Sequence, residues 1–259
     1  ADTVRGECAF DVVRLLTNES ATTKNIKTEL ANLAQRAQPE DLVVIYISSH
    51  GSPQDLDKMG INYIITHDTE VDNLFATSLE MDTVLDVVKR IRAQRVVAFL
   101  DTCYSGSTFT ELPQGWIAGS RDLAFTSGLG IESIQNTLRR AERVVEIKPS
   151  STNRGRMPQG VGRVIIASSR QNERSWEDER IQHGYFTYFL IQALKQKSPI
   201  SVDELYEYLK TNVPKRVRQD KGKDQHPTIA KSKDGPIEIY LRDEIPAGRR
   251  PSGEPNRRR

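Results

Sequence analysis

The chain has 259 residues, enough for one large α/β domain or two small ones with a real core. Its 37% apolar and 28% charged residues exclude a disordered polymer, and a net charge of +2 leaves the whole molecule without the electrostatic footprint of a nucleic-acid binder. No apolar run approaches the roughly 18 residues of a membrane span, and Cys8 and Cys103 make neither a disulfide framework nor a metal motif, which points to a reducing, cytoplasmic setting.

In chain order, a β-branched run predicts a strand over 11–16. Ile26, Leu30 and Leu33 then share one face of a helix. The run 43–47 is nearly all apolar, as in a central strand covered on both sides. Met81, Val84, Leu85, Val88 and Ile91 mark a second helix, with Thr77 and Glu80 spaced as a capping box before it. Another strand follows over 96–100.

Residues 108–162 break the rhythm, being rich in Gly, Ser, Pro and basic side chains, and read as a long insertion. A strand over 164–167, a helix over 186–195, a helix from Ser201 with Glu204 in capping-box position, and a strand over 237–241 complete the pattern. Residues 246–259 read as a basic, disordered tail or linker. Alternation of strand and helix predicts one α/β domain over 1–245, built on a mostly parallel central sheet flanked by helices.

Polar residues sit where two of these strands end. Ser48-Ser49-His50-Gly51 follows the run 43–47, and Asp101-Thr102-Cys103-Tyr104-Ser105-Gly106 follows 96–100. Sites in open α/β sheets form beyond the carboxyl ends of the strands, so parallel neighbours would bring a His and a Cys to one edge. A lone buried Cys is more often a small hydrophobe, and a lone His more often structural. Together they can act as thiolate nucleophile and general acid/base, with amides near Gly51 and Cys103 available to an oxyanion. Ser105 lacks a G-x-S-x-G setting, and neither Walker nor dinucleotide-binding glycines occur.

These segments, with Ile166-Ala167-Ser168-Ser169-Arg170 after a third strand, resemble the caspase-like cysteine peptidases (peptidase C14), especially the metacaspases and bacterial orthocaspases. The resemblance implies a caspase-hemoglobinase fold, with Cys103 as nucleophile, His50 as general acid/base, and the amides of Gly51 and Cys103 as oxyanion hole. It places Asp101 and Ser48 in an acidic pocket that selects Arg or Lys before the scissile bond. Trp176, in the loop after the third strand, is expected either to wall a neighbouring subsite or to pack under the loop. An Arg/Lys-specific enzyme would also find sites in its own basic stretch 139–163, at Arg140, Arg143, Lys148, Arg154 or Arg156; the equal alternative is that the stretch is simply a solvated loop.

Calcium-dependent relatives carry an acidic pair where this chain has Leu79-Glu80, so neither calcium nor another cofactor is expected. The family's first strand and helix should precede residue 11, where only about ten residues stand, and the domain therefore reads as lacking them, with a separate N-terminal fragment or chain completing the sheet. Other expected partners are peptide or protein substrates, not nucleic acid or membrane. The competing expectation is a catalytically silent module of the same fold.

Overall fold

The computed structural model describes residues 12–52, 59, 61–102, 161–170, 173–197, 199–232 and 237–239. Helix α1 (Thr23–Arg36) is the first α-helix among the described residues, capped by the Thr22 hydroxyl, which accepts from Asn25 N at 3.2 Å. It leads into strand β1 (Leu42–Ser49). Two short strands, β2 (Tyr63–Ile64) and β3 (Leu79–Glu80), pair antiparallel before helix α2 (Met81–Arg90). Strands β4 (Arg95–Thr102) and β5 (Gly162–Ala167) are buried along their whole lengths.

A small hairpin, β6 (Glu177–Asp178) with β7 (His183–Gly184), precedes helix α3 (Tyr185–Gln196). Strand β8 (Ile200–Ser201) runs into helix α4 (Val202–Lys221), whose start carries the expected capping box: Glu204 N donates to Ser201 Oγ at 3.2 Å, and Ser201 N donates back to Glu204 Oε2 at 3.1 Å. Gly222 ends α4 at φ 63°, a left-handed conformation that costs a residue without Cβ little. Strands β9 (Thr228–Lys231) and β10 (Glu238–Ile239) follow.

The main sheet has the order β1-β4-β5-β9, with the first three parallel and β9 antiparallel to β5. Alternate side chains of each strand face opposite sides. Val43, Ile45, Val96, Ala98, Leu100 and Ile165 meet Leu30 of α1 and Val84, Leu85 and Val88 of α2. Val97, Phe99, Val164 and Ile166 meet Tyr185, Phe186 and Leu190 of α3 and Leu205, Leu209, Val213 and Val217 of α4. The result is the expected α/β fold, a mostly parallel sheet between two helical layers.

Several local expectations need correction. Residues 12–16 form no strand; Val12 is 70% and Leu15 40% exposed, and among the described residues no strand pairs with this β-prone run to hold it extended. The run 43–47 is not central: β1 is the end strand of the sheet among the described residues, and Tyr46 and Ser48 on its α3 side are exposed. Thr77 does not cap α2. It ends a helical turn, Leu74–Thr77, where its hydroxyl donates to Asn73 O at 2.7 Å, while Glu80 occupies the cap position without a side-chain bond.

The run 237–241 contributes only β10, paired with β8 outside the main sheet; its last two residues lie outside the described residues. The fourth strand of the sheet is instead β9, too short for its alternation to stand out in the sequence. Arg163, at the end of the basic stretch, is a core residue of β5, 1% exposed. Its Nε donates to Val88 O at 2.9 Å and its Nη2 to Ile91 O at 2.6 Å, so a buried cation closes the carboxyl end of α2.

Candidate active site

Parallel pairing brings the ends of β1 and β4 level, with Ser48 opposite Asp101 and Ser49 opposite Thr102. His50 follows Ser49 directly and is half-buried. Beyond this point the chain turns to an antiparallel partner in β2. Ile65 N donates to His50 O at 2.9 Å, Gly51 bridges Ile64, and Ser52 N donates to Tyr63 O at 2.9 Å. Ser52 Oγ accepts from Tyr63 N at 3.0 Å, and Ser49 Oγ donates to Ile65 O at 2.5 Å.

Residues 49–52 are therefore clamped between the main sheet and a segment whose Tyr63 and Ile64 are fully buried. That clamp, rather than a helix or a long loop, sets the backbone at His50 and Gly51. The hydroxyl of Ser49 adds a tether to this clamp.

Asp101, on the α3 face of β4, is 1% exposed. A buried carboxylate needs donors or a cation, and here two hydroxyls supply bonds. Ser175 Oγ donates to Oδ1 at 2.8 Å, and Thr187 Oγ1, in the first turn of α3, donates to Oδ2. Thr187 Oγ1 also lies 2.6 Å from the Tyr46 hydroxyl on β1. Ser48 is exposed beside this group, as the register partner of Asp101.

The loop bearing Ser175 is fixed by Gln225, which is 0% exposed. Its Nε2 donates to Ser168 O at 3.0 Å and to Ser175 Oγ at 3.1 Å, and its Oε1 accepts from Trp176 N at 2.8 Å. Trp176 is half-buried against the α3–α4 core, with Nε1 donating to Asp224 O at 3.3 Å and the Arg174 guanidinium 6.0 Å from its ring centre. His226 and Glu173 add a second tie between the same two segments, 2.7 Å between Nδ1 and Oε1.

A charged cluster anchors the β6–β7 hairpin below this loop. Arg180 grips Asp178 through Nε at 2.9 Å and Nη2 at 2.7 Å, and Lys221 of α4 reaches the same carboxylate at 3.2 Å. The Arg180 guanidinium, then its backbone N–H, hold the Asp178 carboxyl far below the usual range, with Lys221 and Tyr185 adding to the effect. The Tyr185 hydroxyl sits 3.1 Å from Asp178 and 3.0 Å from Asp220. Burial first, then those two carboxylates, push the phenol upward.

Of the residues singled out from sequence, Ser48, His50, Gly51 and Asp101 gather at the ends of β1 and β4, and Trp176 lies in the loop tied to Asp101 through Ser175. Cys103, Arg140, Arg143, Lys148, Arg154 and Arg156 lie outside the described residues. Tyr46, Ser175, Thr187 and Gln225 escaped the sequence reading. Ser175 and Thr187 stand 74 and 86 residues from Asp101 along the chain, and an isolated hydroxyl carries no pattern that would announce its partner.

A family model described as the peptidase C14 caspase domain matches residues 1–234. Among curated proteins there is no match. A crystal structure of a protein from Geobacter sulfurreducens superposes with a TM-score of 0.50 at 17% identity, covering 85% of this chain and 77% of that one, a likeness of fold.

Proposed function

The chain belongs to the peptidase C14 caspase-domain family, and from that membership we propose that it is a cysteine endopeptidase cutting after Arg or Lys. One observation carries the reading: the β1–β4 register stops at Ser49 and Thr102, and the next residues in the two segments are His50 and Cys103. A buried carboxylate, Asp101, stands two residues before the cysteine.

In the proposed reaction the Cys103 thiolate attacks the scissile carbonyl carbon, and the amides of Gly51 and Cys103 receive the resulting oxyanion. The imidazolium of His50 protonates the leaving amine as the C–N bond breaks, which leaves a thioester acyl-enzyme. Water, deprotonated by His50, then attacks the thioester, and the proton returns to the sulfur as it leaves. Asp101 pairs with the Arg or Lys side chain before the scissile bond, Ser48 borders the same pocket, and Trp176 forms a neighbouring subsite wall. A negative pocket explains the preferred cation, since a charge-assisted pair in a site shielded from water is stronger than one in bulk solvent.

Self-processing within 139–163 follows from the same specificity, at Arg140, Arg143, Lys148, Arg154 or Arg156. Arg163 is excluded, because its peptide bonds are part of a buried strand. The reaction needs no cofactor, and activity is proposed to be independent of calcium.

The test compares wild type with Cys103→Ala on fluorogenic peptides ending in Arg, Lys or Asp, with and without calcium. Cleavage after Arg and Lys only, lost in the alanine variant and indifferent to calcium, is the expected result. Cleavage after Asp, or an active alanine variant, defeats the proposal. Intact-mass measurement of the active enzyme should reveal fragments ending at a basic residue of the 139–163 stretch.

A further inference from the structure

The hydrogen bonds around Asp101 have a direction that can be worked out. With Asp101 ionised, as capture of a cation requires, its two oxygens only accept. The single proton of Thr187 Oγ1 therefore points to Oδ2, and at its 2.6 Å contact with Tyr46 the threonine oxygen must be the acceptor. The phenol donates, giving a chain from Tyr46 through Thr187 to Oδ2.

On the other side, Gln225 Oε1 is identified as the acceptor by the Trp176 N–H, 2.8 Å away, so its amide nitrogen faces Ser168 O and Ser175 Oγ. That nitrogen donates to Ser175 Oγ at 3.1 Å, and Ser175 donates to Oδ1 at 2.8 Å. A second chain thus runs from Gln225 through Ser175 to the other oxygen. Each hydroxyl is polarised by the donor behind it, which strengthens its bond to the carboxylate.

The chains come from independent parts of the fold, one from β1 and α3 and the other from the loops after β5 and before β9. Their meeting point fixes both the position and the plane of the carboxylate. An arginine guanidinium engages a carboxylate through two parallel bonds and needs both oxygens in a set plane, whereas a lysine ammonium is a point charge that tolerates rotation.

We propose that Tyr46 and Gln225 are positioning residues for the Asp101 carboxylate, each acting through one hydroxyl, and that the two chains give arginine its preference over lysine. The inference rests on the reading of Asp101 as the floor of the specificity pocket. Tyr46 is the most accessible member, 42% exposed and on the same side of β1 as Ser48, so it also borders the path a long cationic side chain would take.

Binding tests this without turnover. Cys103→Ala protein is titrated calorimetrically with an Nα-blocked arginine amide and the matching lysine amide. Adding Tyr46→Phe, which deletes one donor and keeps the ring, should weaken arginine binding roughly fivefold, the equivalent of one ordinary hydrogen bond, and lysine binding less than about twofold. Thr187→Val should weaken arginine binding about tenfold or more, with Thr187→Ser restoring it to within about twofold of the parent.

Equal losses for both cations would mean a general structural role and overturn the inference, as would unchanged binding of both. A parent protein that binds neither amide overturns the pocket reading and the relay with it. Selective parent binding that survives Tyr46→Phe and Thr187→Val overturns the relay alone. Should Thr187→Val fail to fold, Tyr46→Phe on a part-exposed ring decides the matter by itself.

Discussion

Replacing Arg163 by Met should be among the most destabilising single changes outside the active site. The side chain is 1% exposed in β5 and donates Nε to Val88 O at 2.9 Å and Nη2 to Ile91 O at 2.6 Å. These carbonyls belong to the end of α2, where no further helical N–H exists to donate to them and where the negative end of the helix dipole favours a cation. Met fills similar space but donates nothing. Two hydrogen bonds from a charged group, at ~1.5–3 kcal/mol each, give an expected loss of roughly 3–6 kcal/mol. That is a large share of the ~5–15 kcal/mol that keeps a typical domain folded.

Urea unfolding at pH 7 followed by far-ultraviolet circular dichroism measures the loss, with an unchanged slope confirming that the same surface is exposed. Thermal melting gives an independent reading; at about 2–4 °C per kcal/mol for a chain of this size, the midpoint should fall by roughly 6–24 °C. Arg163→Lys keeps the charge but offers a compact ammonium in place of a fork, so about half the loss is expected. A Met variant within ~1 kcal/mol of wild type would refute the idea that this buried cation holds α2 to the sheet.

Ser49→Ala removes the donor to Ile65 O and loosens the clamp behind His50. The expected stability loss is only ~0.5–1.5 kcal/mol, while kcat on an Arg peptide should fall with KM little changed, because the substrate pocket is untouched; steady-state kinetics checks this split. Glu204 is held down to about 2 from an ordinary 4.5, first by Lys197 and then by the backbone and hydroxyl of Ser201. A depressed carboxyl stabilises the fold above its unfolded value and ceases to as it protonates, so this contribution is complete above pH 4.5 and disappears as pH falls toward 2. Glu204→Gln should be less stable than wild type in urea at pH 6 and equal to it near pH 2; a gap that persists at pH 2 would contradict the assignment.

Much of the architecture was legible because its causes are local. Apolar periodicity marked α1 and α2, the runs at 96–100 and 164–167 fell within β4 and β5, and Ser201 with Glu204 announced the start of α4, since a capping box lies within four residues. The same local rules failed where pairing decides. Residues 12–16 have the composition of a strand but no ladder among the described residues, Thr77 is spaced as a cap and serves the turn before it, and β9 enters the sheet with only four residues because β5 offers it an edge.

The site divides along the same line. The sequence alone determined that a histidine, a cysteine and a carboxylate stand where two apolar runs end, because strand ends and polar residues can be read from neighbouring positions. Only the tertiary structure decided that β1 and β4 run side by side in the register that pairs Ser48 with Asp101, and that 63–65 braces the backbone around His50. It also decided what surrounds Asp101. Ser175 and Thr187 bond that carboxylate, Gln225 and Tyr46 stand behind them, and each of the four comes from a separate segment and is an ordinary polar residue in its own neighbourhood. Burial makes such a charge depend on every donor within about 3 Å, and proximity across the fold is the one property a linear sequence does not display.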